Sequence, residues 1–555
     1  MRPPVDLCRA AAEASGFDPG DQTMRHLARR TTLAAVLALG LAQTGAAQAP
    51  ATQGRPFTWS FNSDVLTLDP HSSNHTFTNA FLGNVYETLV RHNDKIEIEP
   101  ALAESWQRVS PTVWRFNLRR GVVFHGGETF DADDVLFTWR RVNAPGSLAR
   151  GLLGQIKEVR KLDQYTIEIE THRPFPILLA SITQFYMMDE GWSRANNAET
   201  PANLAQQQES GATRATNGTG PFRIVERRPD ERTVMEAHAR WWDRPVHNLG
   251  RVTFQPIRSA ATRTATLLSG GIDASVEVPL QDIPRLLQDQ RVQVIEGPEL
   301  RTIYLGFDHE RDQLLYSDVQ GRNPLKDRRV REAIYRAIDV DALVRNVMRG
   351  KAWPAGMMVS PFLAGAPQDL NARLPYDPEA SRRLLAEAGY PNGFTVGIVC
   401  PNDRYVNDER TCQAIAGMLA RVGIRLQLQS EPTAVWSRRT ANRDFSMFML
   451  GHAGLPLADS YSTLNEVLRT AGQTTGGLNY GRWSNAPFDA LVDQAAEAAD
   501  EQSRQRFIRD ALAIERAEIA HVPLFQQPIA WAARRGIDLR QAPDNRLRLW
   551  LVRVD

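Results

Sequence analysis

Cysteine is scarce in this chain, three residues in 555, yet two of the three bracket one polar segment, "CPNDRYVNDERTC", from Cys400 to Cys412. Thiols can ligate a metal, exchange electrons as a pair or cross-link the chain. A zinc site needs further ligands, and none stands at ligand spacing here. A thioredoxin-type pair needs two intervening residues, where this segment has eleven. In an oxidising compartment, two cysteines at this spacing are most simply a disulfide, Cys400 to Cys412. Closing so short a loop contributes on the order of 3 kcal/mol, less any native strain. Two histidines, His71 and His75 in "LDPHSSNH", raise a metal reading, but two ligands in one loop do not make a site, and no metal or other cofactor is expected. The carboxylate pair Asp133 and Asp134 stands where a helix begins, which capping explains without general acid or base chemistry. The sequence holds no GxSxG elbow, no HExxH and no Gly-rich phosphate loop, so a secreted enzyme has no motif to rest on.

The compartment is read from the N-terminus. "MRHLARRTTLAAVLALGLAQTGAAQAP" places Arg25, Arg29 and Arg30 before an apolar run from Leu33 to Leu41, followed by small residues with "AQA" at Ala47 to Ala49. These are the parts of a cleavable secretory signal, and the run is shorter than the roughly 20 residues that span a bilayer. Residues 1–23 read as an extension from a start assigned too early. Arg29 and Arg30 permit a twin-arginine route, and without a cysteine at the cleavage point no lipid anchor is expected. Removal of this segment discards Cys8 and leaves Cys400 and Cys412 in an exported protein.

At 42% hydrophobic and 23% charged residues, the composition is that of a globular protein large enough for two or three domains. Basic and acidic residues nearly cancel, 65 against 64, so no overall field recruits nucleic acid or an anionic membrane. A small solute or another protein is the expected partner.

The elements that must hold these residues alternate. "FTVGIV" from Phe394 to Val399 is a buried strand, and "DERTCQAIAGMLARVG" is a helix with Ile415, Met418, Leu419 and Val422 on one face and Gly423 as its stop. "IRLQLQ" from Ile424 is a second strand. Such a βαβ unit has parallel strands and a right-handed crossover, and ligands bind beyond the carboxyl ends of its strands, where the cysteine-framed loop lies. "DPEASRRLLAEAGYP" has Asp377 as N-cap, Pro378 in the first turn and Gly389 as stop. "KDRRVREAIYRAID" carries Val330, Ile334, Ala337 and Ile338 on one face, and a further helix starts at Asp131. Strands at "TWSFN", "YTIEIE" and "RTIYLGFD" lie between, which makes the class mixed α/β.

Six stretches, in order, carry a family resemblance: "PALAESWQRVSPTVWRFNLRRGVVFHGGETFDADDVLFTW" from Pro100, "NGTGPFRIVERR" from Asn217, "LLSGGIDASVEVP" from Leu267, "NPLKDRRVREAIYRAID" from Asn323, "PYDPEASRRLLAEAGYPNGF" from Pro375 and "NYGRWSNAPFDALVDQA" from Asn479. From about Phe57 onward the chain resembles the family 5 extracellular solute-binding proteins of ABC importers, which include oligopeptide-, dipeptide- and nickel-binding proteins. The resemblance implies a two-lobed periplasmic-binding-protein fold with an extra domain. Residues 1–49 would be the N-terminal extension and signal. Lobe I would take 50–90, 220–300 and 528–555, the extra domain 91–219 and lobe II 301–527, with hinges near Arg301 and Gln527. It also implies a monomer that closes over a peptide or related organic solute and docks on an inner-membrane permease driven by ATPase subunits.

By the same resemblance Arg404 occupies the place of an arginine that pairs with a peptide carboxylate, flanked by Asn402 and Tyr405. A guanidinium grips a carboxylate through two parallel hydrogen bonds. The alternative is a surface ion pair with Asp403 or Asp408. Where peptide-binding relatives place an aspartate for the peptide amine, the turn after His452 reads "AGLPLADSYSTL", with Leu455 near that position; Asp459, four residues on, is the candidate substitute, and His452 joins the candidate lining. This departure leaves open a peptide held differently, an opine-like conjugate, a nickel complex or another organic anion. His71, Asn74 and His75, after the first strand, and Asn479, Tyr480 and Trp483, in "NYGRW", complete the candidate lining. Trp241 and Trp242 are expected in the core.

Overall fold

The computed structural model describes residues 54–473 and 475–555. The signal features between Arg25 and Ala49, and Cys8, lie outside the described residues. Among the described residues no helix is long and apolar enough to cross a membrane.

Most strands join one mixed sheet that is built around two long antiparallel partners, Val292–Phe307 and Val522–Arg534. On one side the sheet continues through Ala274–Ser275, Arg55–Phe61, Leu249–Pro256, Arg232–Ala237 and Phe222–Arg228. On the other it continues through Met447–His452, Phe394–Pro401 and Ile424–Glu431. The two long strands therefore belong to both halves. Midway along them Pro298 faces Pro528, and since neither residue can donate to the ladder, pairing lapses until Thr302 meets Gln526. The expectation that a strand starts at Arg301 is thus too short. Its ladder begins at Val292, because pairing with the partner strand runs from Arg534 up to the two facing prolines before the lapse.

Strand Phe394–Pro401 shows why its sequence is an unbroken apolar run. Val396, Ile398 and Cys400 pack into one core with Ile334, Ile415 and Leu419, while Val399 points to the other face, against Phe448 and Trp436. A strand buried on both faces has no polar positions to alternate. It pairs in parallel with Ile424–Glu431, from Phe394 opposite Ile424 to Pro401 opposite Glu431, and helix Asp408–Ala420 bridges the two. Around Trp59 a second core gathers Phe57, Phe81, Phe254 and Trp531.

A separate four-stranded antiparallel sheet has the order Ala103–Ser110, Val113–Leu118, Thr166–Thr171, Ile156–Asp163. Helix Ala132–Asn143 packs on it around Phe116, Phe130, Val135 and Ile169. Asp131 and Asp134 form a reciprocal capping box at its start, and burial pushes the Asp134 carboxyl up to about 7. Asp134 is accounted for by this cap, and the Asp133 carboxylate pairs with Lys161 at 2.8 Å.

Candidate functional site

The strand Phe394–Pro401 ends at the cysteine-framed loop, and two devices hold that loop. Cys400 and Cys412 are disulfide-bonded, with Cα atoms 6.6 Å apart and both residues buried. Beneath the turn, one Asp408 oxygen accepts the backbone N–H groups of Arg404 and Tyr405, each at 2.9 Å. Asn407 turns the chain into the helix at φ +52°, a conformation asparagine tolerates. Gln527, on the long strand Val522–Arg534, accepts the Val406 N–H at 3.0 Å and so ties the loop to the middle of the sheet.

This scaffold presents Arg404. Its Nε donates to Tyr405 Oη at 2.9 Å, and its guanidinium lies 5.3 Å from the Tyr405 ring centre and 5.0 Å from that of Trp436. Neither acidic neighbour neutralises it. Asp403 accepts from Thr433 N and Oγ1 at 2.7 and 2.6 Å, and Asp408 serves the backbone. Among the described residues, Arg404 has no carboxylate partner.

Arg404 borders a cavity of about 250 Å³ that Arg301, Trp436, Leu455, His452, Glu466 and Tyr480 also line, with Thr76 contributed by the start of helix Thr76–Leu82. Arg301 is already neutralised. It pairs with Glu299 at 3.0 Å, donates to Gly451 O at 3.3 Å and faces the Tyr405 ring. Glu299 also accepts from Gln527 Nε2 at 2.6 Å. Beside this pair, Glu277 accepts from Asn545 Nδ2 at 2.6 Å and Asn62 Nδ2 at 3.2 Å. Burial, then the charge of Glu299, pushes the Glu277 carboxyl up to about 7.

Of the residues expected in the site, Arg404, His452 and Tyr480 line the cavity. Tyr405 lies behind Arg404, 8% exposed. Asn402 is exposed and its N–H donates to Glu431 O at the sheet edge. Asn74 and His75 are exposed just before Thr76, where His75 caps helix Thr76–Leu82. His71 does not reach the cavity. It is fully buried, with Nε2 3.0 Å from Tyr186 O and Nδ1 2.7 Å from Arg141 Nη1, and burial and then Arg141 hold it down to about 3. Asp459 caps helix Ser460–Thr463 and pairs with Arg504, so it offers no free carboxylate. Asn479 is 2% exposed, bonds Trp483 N, Trp483 O and Arg469 O, and thereby braces the turn that carries Tyr480. Trp483 is core, against Phe488.

Among the lining residues that sequence reasoning missed are Thr76, Trp436, Glu466 and, as lining rather than hinge, Arg301. Only proximity in the fold selects them, since a lone Trp at a helix start and a Glu inside "TLNEVL" carry no spacing signal. Among the described residues, no group of three or more His, Cys, Asp or Glu is placed to hold a metal ion.

Comparisons with known proteins agree with this architecture. The chain is 27% identical over 476 residues to the heme-binding protein A of Haemophilus influenzae, covering 81% of this chain and 83% of the relative. It is 26% identical over 463 residues to the dipeptide-binding protein of Escherichia coli, covering 78% and 82%. In fold it matches the ABC transporter-associated periplasmic binding protein DppA from Helicobacter pylori in complex with the peptide STSA, with a TM-score of 0.71 at 23% identity, covering 90% of this chain and 98% of that one. The sequence profile of "Bacterial extracellular solute-binding proteins, family 5 Middle" matches residues 97–474. The chain belongs to the family 5 bacterial extracellular solute-binding proteins.

Proposed function

We propose that this protein is the periplasmic solute-binding component of an ABC importer, and that it captures a small carboxylate-bearing organic solute, a peptide or a related conjugate, in the cavity beside Arg404. The observation that carries the reading is Arg404 itself: a guanidinium propped by Tyr405 and Trp436 on a cross-linked loop, bordering a cavity and without a protein carboxylate among the described residues. A charge held ready in this way lowers the ordering cost of binding. The relatives named for dipeptide and heme binding, and the ABC transporter-associated neighbour, support the class of function.

Lobe I is assigned to 50–90, 220–300 and 528–555, the extra domain to 91–219 and lobe II to 301–527. The paired prolines 298 and 528 would act as the hinge, because the ladder there is already open. The N-terminal basic, apolar and small-residue stretch would direct export, and a permease with its ATPase subunits would receive the closed monomer.

The test is thermal unfolding of the mature protein, stripped of carried solute by refolding, against dipeptides, their N-acetyl and C-amide forms, and N-carboxyalkyl amino acids. A bound solute at about 100 times its Kd adds roughly 2.7 kcal/mol to stability. Stabilisation by carboxylate-bearing members that is lost in Arg404→Gln supports the proposal. Absence of any stabilisation, or stabilisation untouched by Arg404→Gln, refutes it.

A further inference from the structure

A second cavity shares none of its lining with the one beside Arg404. It leaves about 60 Å³ for the centres of bound atoms, where roughly 10–15 Å³ suffices for one water. Helix Thr76–Leu82 touches both: Thr76, at its start, lines the solute cavity, and Ala80, one turn on, lines this one. The walls carry the rings of Tyr86, Tyr186, Trp241 and Trp550, together with Pro221 and Leu547. Such walls favour a planar, apolar body.

Most polar groups on these walls are already spent. The two Glu87 oxygens accept from Trp241 Nε1 at 3.1 Å and Trp242 Nε1 at 2.9 Å, and Tyr186 Oη donates to Asn79 O at 3.0 Å. Arg548 donates to both Asp544 oxygens, at 3.0 and 2.8 Å. Arg91 pairs with Glu99 and Asp243, each at 2.7 Å, and those two carboxylates line a neighbouring hollow rather than this one.

Two donors are left over. Arg546, with its side chain 14% exposed, comes no nearer than 3.7 Å to Asp544 and 3.5 Å to Gln184 Oε1. Since Arg548 already grips Asp544, one carboxylate serves two guanidinium groups and a positive charge remains in excess. Tyr86 is fully buried, and its hydroxyl hydrogen finds no acceptor. His92, on the same wall, is held down to about 4 by burial and then by Arg546, so at neutral pH it adds no charge of its own. Buried donors without acceptors are unfavourable, and a ligand that brings the acceptor relieves them. A carboxylate meets both the missing acceptor and the excess charge.

We infer that this cavity is a second binding site, distinct from that of the transported solute, and that it takes a small aromatic monocarboxylic acid, with the ring among Tyr86, Trp241 and Trp550 and the carboxylate on Arg546. The site goes beyond the solute reading and does not depend on it.

The test is calorimetric titration of the mature protein carrying Arg404→Gln, in which the solute cavity has lost its guanidinium, with benzoate, phenylacetate, benzamide and acetate. The two aromatic acids are expected to bind, and benzamide, which lacks the charge, and acetate, which lacks the ring, to bind at least about ten-fold more weakly. Arg546→Gln added to that background is expected to weaken the aromatic acids by a similar factor and to leave benzamide within about two-fold. Ala80→Leu, which puts a larger side chain on the wall, is expected to weaken every ring-bearing member while unfolding without ligand stays cooperative. Failure of both aromatic acids to bind, which leaves the cavity to water, overturns the inference. So does equal binding of benzoate and benzamide, or binding that neither Arg546→Gln nor Ala80→Leu alters. None of these results touches the solute reading, which is judged by dipeptide binding to the native protein and its loss in Arg404→Gln.

Discussion

Cys400 and Cys412 are joined with Cα atoms 6.6 Å apart, and the segment they close carries Arg404 over the cavity while its base is stitched to Asp408. The cross-link therefore restrains a loop that Gln527 also ties to the middle of the sheet. Replacing both cysteines by serine is expected to lower stability by up to about 3 kcal/mol in urea unfolding. It should also weaken carboxylate solutes, because the loop must then be ordered on binding. Unchanged affinity in the double variant would limit the disulfide to a stabilising role.

Arg141 tests a different part of the molecule. It is fully buried, donates to both Asp69 oxygens at 2.9 and 2.6 Å, reaches His71, and gives its Nε hydrogen to Ala198 O at 2.8 Å. Burial alone would raise the Asp69 carboxyl, but Arg141 outweighs it and holds that group below its ordinary value. Removing one member of such a pair strands the other charge. Arg141→Met is expected to cost about 3–5 kcal/mol and to leave solute affinity unchanged in whatever fraction folds. In a double-mutant cycle, Asp69→Asn with Arg141→Met should cost less than the sum of the single changes, and additivity would count against a coupled pair.

Glu277 sets a pH dependence whose sign follows from its proton. Its carboxyl moves from an ordinary 4.5 up to about 7 in the folded protein, by burial first and Glu299 second. Between those values the folded state holds a proton that the unfolded state has released, so this group's contribution to stability falls as pH rises from about 4.5 to 7, by up to about 1.4 kcal/mol per pH unit. His71 has the opposite sense: buried neutral, it makes stability fall as pH drops from 6.5 toward about 3. Urea unfolding between pH 5 and 8 should show a shallower decline in Glu277→Gln than in the native protein, whereas parallel curves would mean that Glu277 titrates normally.

How much of this was legible in the sequence depends on how local each feature is. The helix Pro378–Glu387, with Asp377 capping it and Gly389 following at φ +89°, is written in consecutive residues, as are the strand Phe394–Pro401 and the disulfide. The family pattern gave the fold class and pointed to Arg404. Long-range partners were not legible. His71 and Asn74 stand three residues apart, yet one is locked under Arg141 and the other is exposed, because Arg141 arrives from a helix far along the chain. Glu466 joins Arg404 only because the strand Met447–His452 lies beside Phe394–Pro401, a pairing that no local pattern announces. Asn479 and Trp483 look like surface ligand groups in "NYGRW", but the amide is consumed inside the turn and the indole in the core.

The shape of the charge at Arg404 is as testable as its sign. Its planar guanidinium lies near the faces of Tyr405 and Trp436, at 5.3 and 5.0 Å, and Nε is already committed to Tyr405 Oη, which leaves both terminal nitrogens for the two oxygens of one carboxylate. Lysine in its place would keep a positive charge but lose the stack and the second parallel hydrogen bond. Arg404→Lys is therefore expected to weaken carboxylate solutes by roughly ten-fold, and Arg404→Gln by more, while C-amidated counterparts respond little to either change. Trp436→Ala should produce a smaller loss in the same direction, since the ring orients the guanidinium without touching the carboxylate. Equal affinity in native and Arg404→Lys would mean that only net charge is read at this position. The cavity would then discriminate by charge at Arg404 and by fit against Tyr480 and Leu455, rather than by a paired grip on the carboxylate.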